Sequence, residues 1–249
     1  MIGRDPVPGT RVPEKQASDS IGALAPGPRF RRFPRVALFD LDGTLLDSAP
    51  DLLAAANRVR ERRDMPPMLL EELRPHVSKG SRAMLAAAFP HVDAAQREAW
   101  IPEFLELYQH EIGKHGVLFD GVAEMLAALE ADGARWGIVT NKPEYLARDI
   151  LPHLGWTERC AVLIGGDTLA EKKPHPLPLQ VAVRLLEADI ADCVYVGDDE
   201  RDIQAARAAG MRCIAALWGY RPPDDDPLAW QADAMAETAR ELVDPANWP

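Results

Sequence analysis

The chain has 249 residues, 47% of them apolar, and a formal net charge of −11. That length and apolar share suit one large domain, or a domain with an insert, while the acidity argues against general binding to nucleic acid or an anionic membrane. There is no run of apolar residues long enough to span a bilayer and no apolar leader, and Cys160, Cys193 and Cys213 form no CxxC pair, so the expected setting is a reducing cytoplasm.

Residues 1–34 hold six prolines and four glycines and read as a disordered or loosely attached arm. Arg29, Arg31, Arg32 and Arg35 form a small basic cluster there, either a partner contact or a solvated tail. Residues 35–39 are an apolar run expected to be a buried strand. It runs out into Asp40-Leu41-Asp42-Gly43-Thr44, which puts two carboxylates at the sheet edge where open α/β folds bind ligands. Two strand residues span roughly 6–7 Å, so one carboxylate can attack an atom while the other serves a neighbouring group. A plain surface turn would need neither the apolar strand before it nor the Thr-Leu-Leu after it. Pro50 opens a helix, with Ser48 or Ala49 near its cap.

Residues 51–116 read as helices. Leu52, Leu53, Ala56 and Val59 recur at helical spacing, and Met65-Pro66-Pro67 breaks the chain. Met84, Leu85, Ala88 and Phe89 mark a second helix. A third runs from Asp93 towards Tyr108, kinked or split by Pro102. From Phe119 helices alternate with strands. Val122 to Leu129 form a helix that Gly133 caps, and strands are expected at 136–139, 161–164, 193–196 and 213–216. A helix carries Leu179, Ala182, Val183 and Leu186, and another stops at Gly210. The expected fold is α/β: a doubly wound, Rossmann-like parallel sheet core (35–50 and 117–249) with an inserted all-helical cap domain (51–116).

The polar clusters fall at strand C-termini: Asp40 and Asp42, Thr140 and Asn141, Lys172-Lys173-Pro174, and Asp198 with Asp202. Crowded acids repel unless a cation holds them, and a hard divalent ion such as magnesium takes oxygen ligands while keeping its waters. Thr140 and the backbone at Asn141 can donate to an anion, and Lys173 can offset a further charge. This is a site for phosphate beside a metal and a carboxylate. Asp40 is placed to attack phosphorus as a nucleophile, and Asp42 to protonate the leaving alkoxide and then activate water. Lys173, magnesium and Thr140 would stabilise charge on the phosphoryl oxygens.

These four motifs in order resemble the haloacid dehalogenase superfamily of phosphohydrolases over about residues 35–245. The resemblance implies that Asp40 is the nucleophile and Asp42 the acid/base, and that Mg2+ is held by Asp40, the Asp42 carbonyl and Asp198. Thr140 and Asn141 would bind phosphate, with Lys173 neutralising it and Lys172 its rival for that role. Thr44 and Asp202 would support the site, Asp202 by bracing Lys173 or a metal-bound water. Asp199 stands where relatives often have Ser. Residues 51–116 take the place of the movable cap. A carboxylate at Asp42 sets the chain apart from the dehalogenases and the phosphonate-cleaving members.

Within the superfamily, residues 46–52, 139–143, 172–176 and 196–198 are similar to the bacterial phosphoglycolate phosphatases. Residues 77–84, 136–137, 196–199 and 218–220 are similar to a sister group acting on N-acetylmuramic acid 6-phosphate. The implied substrate is a small anionic phosphomonoester, 2-phosphoglycolate first, through an aspartyl-phosphate. A sugar phosphomutase and a non-catalytic binding protein are the weaker readings, and no oligomeric state follows. Both candidate substrates carry a carboxylate, so the cap should supply a cation. Lys79 and Arg82 flank Gly80 in a loop that either reaches into the site on closure or is a solvated turn before a helix capped at Ser81. The histidines form no metal-spaced set, and His175 is expected to shape its loop. Trp218-Gly219-Tyr220 either borders the site or packs as a core loop, and Asp224-Asp225-Asp226 reads as a solvated turn.

Overall fold

The computed structural model describes residues 32–222 and 225–249. The expected arm lies almost wholly outside them, as does part of the acidic turn at 224–226. The chain runs β1 (Val36–Phe39), β2 (Leu46–Asp47) and then five helices: α1 (Ala49–Glu61), α2 (Leu70–Leu73), α3 (Ser81–Ala88), α4 (Ala94–Ala99) and α5 (Ile101–Glu111). It continues through β3 (Val117–Leu118), α6 (Val122–Ala131), β4 (Arg135–Val139), α7 (Glu144–His153) and β5 (Leu163–Ile164). The last elements are α8 (Leu177–Leu185), β6 (Cys193–Gly197), α9 (Glu200–Ala209), β7 (Arg212–Ala216) and β8 (Ala234–Ala236).

Six strands form one parallel sheet in the order β5-β4-β1-β6-β7-β8. The central strands are covered on both faces, as parallel strands must be, and therefore read as unbroken apolar runs. Successive side chains go to opposite faces. Ala37 and Phe39 of β1 join Trp136, Ile138 and Val196 in a core under α6 and α7, which Leu126, Leu129, Leu146 and Ile150 complete. Val36 and Leu38 join Val139, Cys193 and Tyr195 in a second core under α8 and α9. The α/β expectation and the doubly wound core are borne out. No helix of the described residues is long and apolar enough to cross a membrane. The three cysteines are free, and burial pushes the Cys193 and Cys213 thiols up to about 11.

The five helices leave and rejoin the core side by side. The short antiparallel β2–β3 ribbon pairs Leu46 with Leu118 and Asp47 with Val117. Pro50 sits in the first turn of α1, as expected, and Pro102 in the first turn of α5, so the chain splits at Trp100 before the proline. Asp93 caps α4 by accepting from the Gln96 amide at 2.9 Å. Gly133 and Gly210 adopt positive φ just past α6 and α9. The folded chain begins ahead of residue 35: Phe33 is buried, edge-on to Trp248 with ring centroids 6.1 Å apart.

The strand expected over 161–164 pairs only at Leu163–Ile164. The ribbon, α7 and β8 add to the expected elements. The ribbon strands are two residues each, and β8 is Ala-Met-Ala with no β-branched residue.

Leu126 is fully buried at the middle of α6. Leu126→Ala is expected to destabilise the fold by about 2–5 kcal/mol without unfolding it, read as a lower midpoint of urea unfolding.

Candidate active site

The site lies where β1 and β6 meet at the C-terminal edge. Phe39 pairs with Val196, and the Asp40 amide still donates to the Val196 carbonyl at 2.9 Å, so the chain is pinned one residue past the strand. Asp40 Oδ1 accepts from the Leu41 amide (2.7 Å) and faces the Lys173 ammonium (3.1 Å). Lys173, 2% exposed in its side chain, also touches Asp202 Oδ1 at 2.6 Å and donates to the Tyr195 hydroxyl at 2.7 Å. Tyr195 in turn donates its hydroxyl hydrogen bond to the Val139 carbonyl at 2.7 Å, tying this network to β4. The other Asp202 oxygen accepts from the Asp199 amide at 3.0 Å. Asp202 thus braces Lys173 and the start of α9.

Asp198 follows β6. Its oxygens accept from the Thr44 hydroxyl (3.0 Å), the Ser78 hydroxyl (2.9 Å) and the Tyr220 amide (2.9 Å). Its fit allows no extra atoms: a Cβ at Gly43, whose φ is +88°, would lie 2.2 Å from Asp198 Oδ2. Asp40, Asp198 and Asp202 each bring an oxygen within 4.8 Å of the others. Burial first, then the charges of Asp40 and Asp202, pushes the Asp198 carboxyl well above the ordinary carboxylate range. Burial also pushes Asp202 up, against the pull of Lys173. Burial works against the Lys173 charge, yet Asp202 and Asp40 hold its pKa above the usual value.

Three buried carboxylates around one ammonium leave negative charge in excess, and all the donors are hard oxygens. The set fits a divalent cation. Asp202, expected to brace Lys173, also brings an oxygen to this group, and the Asp42 carboxylate is turned to other partners, which is compatible with the expected role of the Asp42 main-chain carbonyl.

Both Asp42 oxygens accept from Lys142 Nζ at 3.0 Å, and Oδ1 also accepts from the Ser48 hydroxyl at 2.5 Å. Lys142 is 5% exposed in its side chain, and its ammonium lies 4.3 Å from the Tyr108 ring centroid. Thr140 and Asn141 follow β4 beside it. The Thr140 amide donates to the Ile164 carbonyl at 2.9 Å, and its hydroxyl accepts from the Lys142 amide at 3.3 Å. Asn141 Nδ2 donates to the Lys173 carbonyl at 3.0 Å, fixing the loop that presents the lysine. A cavity of about 300 Å3 opens over Asp40, Asp42, Lys79, Tyr108, Thr140 and Lys142. Lys172 lines it too, but Lys173 is the lysine that touches Asp40.

The two cap cations part company. Lys79 Nζ sits 2.7 Å from Asp199 Oδ2, at the edge of the acid cluster. Arg82 borders the cavity but is 72% exposed in its side chain and held by Glu98 at 2.5 Å. Asp199 caps α9 and accepts from Arg201 Nε at 2.8 Å, and Arg201 in turn donates to the Ser78 carbonyl. Burial opposes its charge, but Arg201 and Lys79 hold the Asp199 carboxyl down to about 2. Trp218-Gly219-Tyr220 borders the site, with Trp218 Nε1 donating to the Thr44 carbonyl at 2.9 Å. His175 accepts from the Leu177 amide at 3.2 Å and shapes its loop.

Lys142, Ser78, Tyr195 and Arg201 carry parts of the site that motif reading passed over. A lone phenol in the apolar run 193–196 was the available signal for Tyr195, and adjacency to Thr140-Asn141 was the signal for Lys142.

A family model described as "Haloacid dehalogenase-like hydrolase" matches residues 37–216. A phosphoglycolate phosphatase of Xanthomonas campestris pv. campestris is 65% identical over 88% of this chain and 99% of its own. An N-acetylmuramic acid 6-phosphate phosphatase of Pseudomonas aeruginosa is 42% identical over 84% and 93%. A crystal structure titled "predicted phosphoglycolate phosphatase", from Haemophilus somnus, superposes with a TM-score of 0.75 at 25% identity, covering 86% of this chain and 98% of that one.

The Asp199 contacts give a pH test. A carboxyl held below its unfolded pKa contributes stability above that value and loses it as pH falls towards the folded one. Asp199→Asn should therefore lower stability at pH 5, and the gap to the unaltered protein should narrow by pH 3 in urea unfolding.

Proposed function

The chain belongs to the haloacid dehalogenase-like hydrolase family, and from that premise we infer a phosphatase that hydrolyses 2-phosphoglycolate to glycolate and phosphate through a phospho-Asp40 intermediate. One observation carries the reading. Among the described residues the Leu41 amide and Lys173 both meet the Asp40 carboxylate at Oδ1, Asp40 lines the cavity, and Oδ2 is the oxygen that this arrangement leaves for attack.

The substrate phosphate sits over Asp40, with its oxygens held by the Thr140 hydroxyl, Asn141 and Lys173. Asp40 Oδ2 bonds to phosphorus as the ester P–O bond breaks, and Asp42 gives a proton to the departing alkoxide. Asp42 then takes a proton from water as that water attacks phosphorus, which releases phosphate and restores the Asp40 carboxylate. Mg2+, held by Asp40, the Asp42 carbonyl and Asp198 when bound, supplies neutralisation of the phosphoryl charge. Asp202 supports this through Lys173, and Thr44 through Asp198. The helices of residues 51–116 act as the cap over the core of 35–50 and 117–249, with Lys79 bringing a cation to the rim. Free, buried Cys193 and Cys213 fit a reducing cytoplasm.

The similarity to the Pseudomonas aeruginosa relative supports a second reading, N-acetylmuramic acid 6-phosphate as substrate. Side-by-side kcat/KM values decide between them. The first reading expects the higher value on 2-phosphoglycolate, with EDTA abolishing turnover and added Mg2+ restoring it. A higher value on the sugar phosphate would install the second reading, and turnover indifferent to EDTA would remove the metal.

A further inference from the structure

We propose that Lys142, together with the Tyr108 hydroxyl, is the receptor for the substrate's carboxylate, an inference that rests on the phosphatase reading above. In 2-phosphoglycolate the carboxyl carbon is joined to the leaving oxygen through a single methylene. Asp42 meets that oxygen, so the carboxylate falls beside whatever cation flanks Asp42. That cation is Lys142, 3.0 Å from both Asp42 oxygens and lining the same cavity. An ammonium has three N–H donors; Asp42 engages two, and one remains for a second anion.

Apart from Lys172, which lines the cavity without touching Asp42, the other cations of the site are committed elsewhere. Lys79 and Arg201 are bound to Asp199, Lys173 to Asp40 and Asp202, and Arg82 to Glu98 at the surface. None of them touches Asp42. Lys142 is also buried, its side chain 5% exposed and its charge facing the Tyr108 ring at 4.3 Å, where an ion pair gains more than in water.

Tyr108 supplies the independent observation. Its hydroxyl is buried and finds no hydrogen-bond partner among the described residues, although the residue lines the cavity. Buried polar groups are ordinarily paired, and a hydroxyl without a partner costs stability until something accepts from it. A carboxylate lodged against Lys142 is such an acceptor. The pairing is one of core and cap, since Lys142 follows β4 and Tyr108 belongs to α5. It also separates the candidate substrates. In N-acetylmuramic acid 6-phosphate the carboxylate hangs from the far side of the sugar ring and cannot reach Lys142 while the phosphate lies over Asp40.

The test compares kcat/KM on 2-phosphoglycolate with kcat/KM on ethyl phosphate, which keeps the leaving-group geometry and lacks the carboxylate. The unaltered protein should favour 2-phosphoglycolate. Lys142→Met should reduce the ratio of the two constants by about 10- to 150-fold, the span of a lost hydrogen bond between charged groups. Tyr108→Phe should reduce it in the same direction by a smaller factor, and Lys142→Arg should recover part of it. Should Lys142→Met fail to fold by circular dichroism, the Tyr108→Phe and Lys142→Arg ratios decide. An unchanged ratio, with both substrates slowed alike, overturns the inference and leaves Lys142 a positioning residue for Asp42. Unaltered protein that hydrolyses both substrates equally overturns it while sparing the phosphatase reading, and protein that hydrolyses neither overturns both.

Discussion

Three carboxylates forced together out of water are the constraint around which this protein is built. Asp40 and Asp198 end adjacent parallel strands, and Asp202 reaches back from the first turn of α9. Their mutual repulsion is answered by one buried ammonium, Lys173, and by hydrogen-bond donors from Leu41, Thr44, Ser78, Asp199 and Tyr220. Leu41 and Thr44 come from the loop after β1, Asp199 from just past the end of β6, Tyr220 from the segment after β7, and Ser78 from the segment before α3. A parallel sheet brings its strand ends to one edge because every strand points the same way, and the loops beyond the strand ends therefore converge. The negative charge left in excess suits the site to a cation.

The same acids hold the helical segment in place. Ser78 and Lys79 lie between α2 and α3, yet their side chains end on Asp198 and Asp199. Arg74 reaches Asp47 at 2.8 Å, and Tyr220 donates to the other Asp47 oxygen at 2.6 Å while its own amide serves Asp198. The ribbon residue Asp47, the segment before α3 and the acid cluster thus share partners. The contacts that seat the helices therefore include two made directly to the acids that follow β6.

Much of this was legible in the residues. Apolar runs at 36–39 and 193–197 followed at once by Asp announced both the strands and the acids beyond them, because a buried strand has to be apolar and its end does not. At Gly43 a tight turn was legible, and the group the turn passes is the Asp198 carboxylate. Lys142 was harder to read. It stands next to two residues with an evident role, and only the fold shows that its ammonium turns to Asp42 and the face of Tyr108, a residue 34 positions earlier on a different element. Arg82 shows the converse. Its spacing from Lys79 suggested a shared purpose, but Glu98, brought near by the packing of α4 against α3, takes its charge at the surface. Side-chain partners set by tertiary packing leave no period in the sequence; α7 did leave one, with Leu146, Ala147, Ile150 and Leu151 at helical spacing, and it was passed over.

Hydrolysis through Asp40 requires a covalent bond between phosphorus and its carboxylate. Acid quench during turnover of 2-phosphoglycolate, followed by borohydride reduction and peptide mass spectrometry, reads that bond directly, because an acyl phosphate is reduced to the alcohol and a free carboxylate is not. Homoserine at position 40, present only when substrate was turning over, is the result expected. Turnover with position 40 recovered entirely as aspartate, or with the alcohol at another acid, would contradict it.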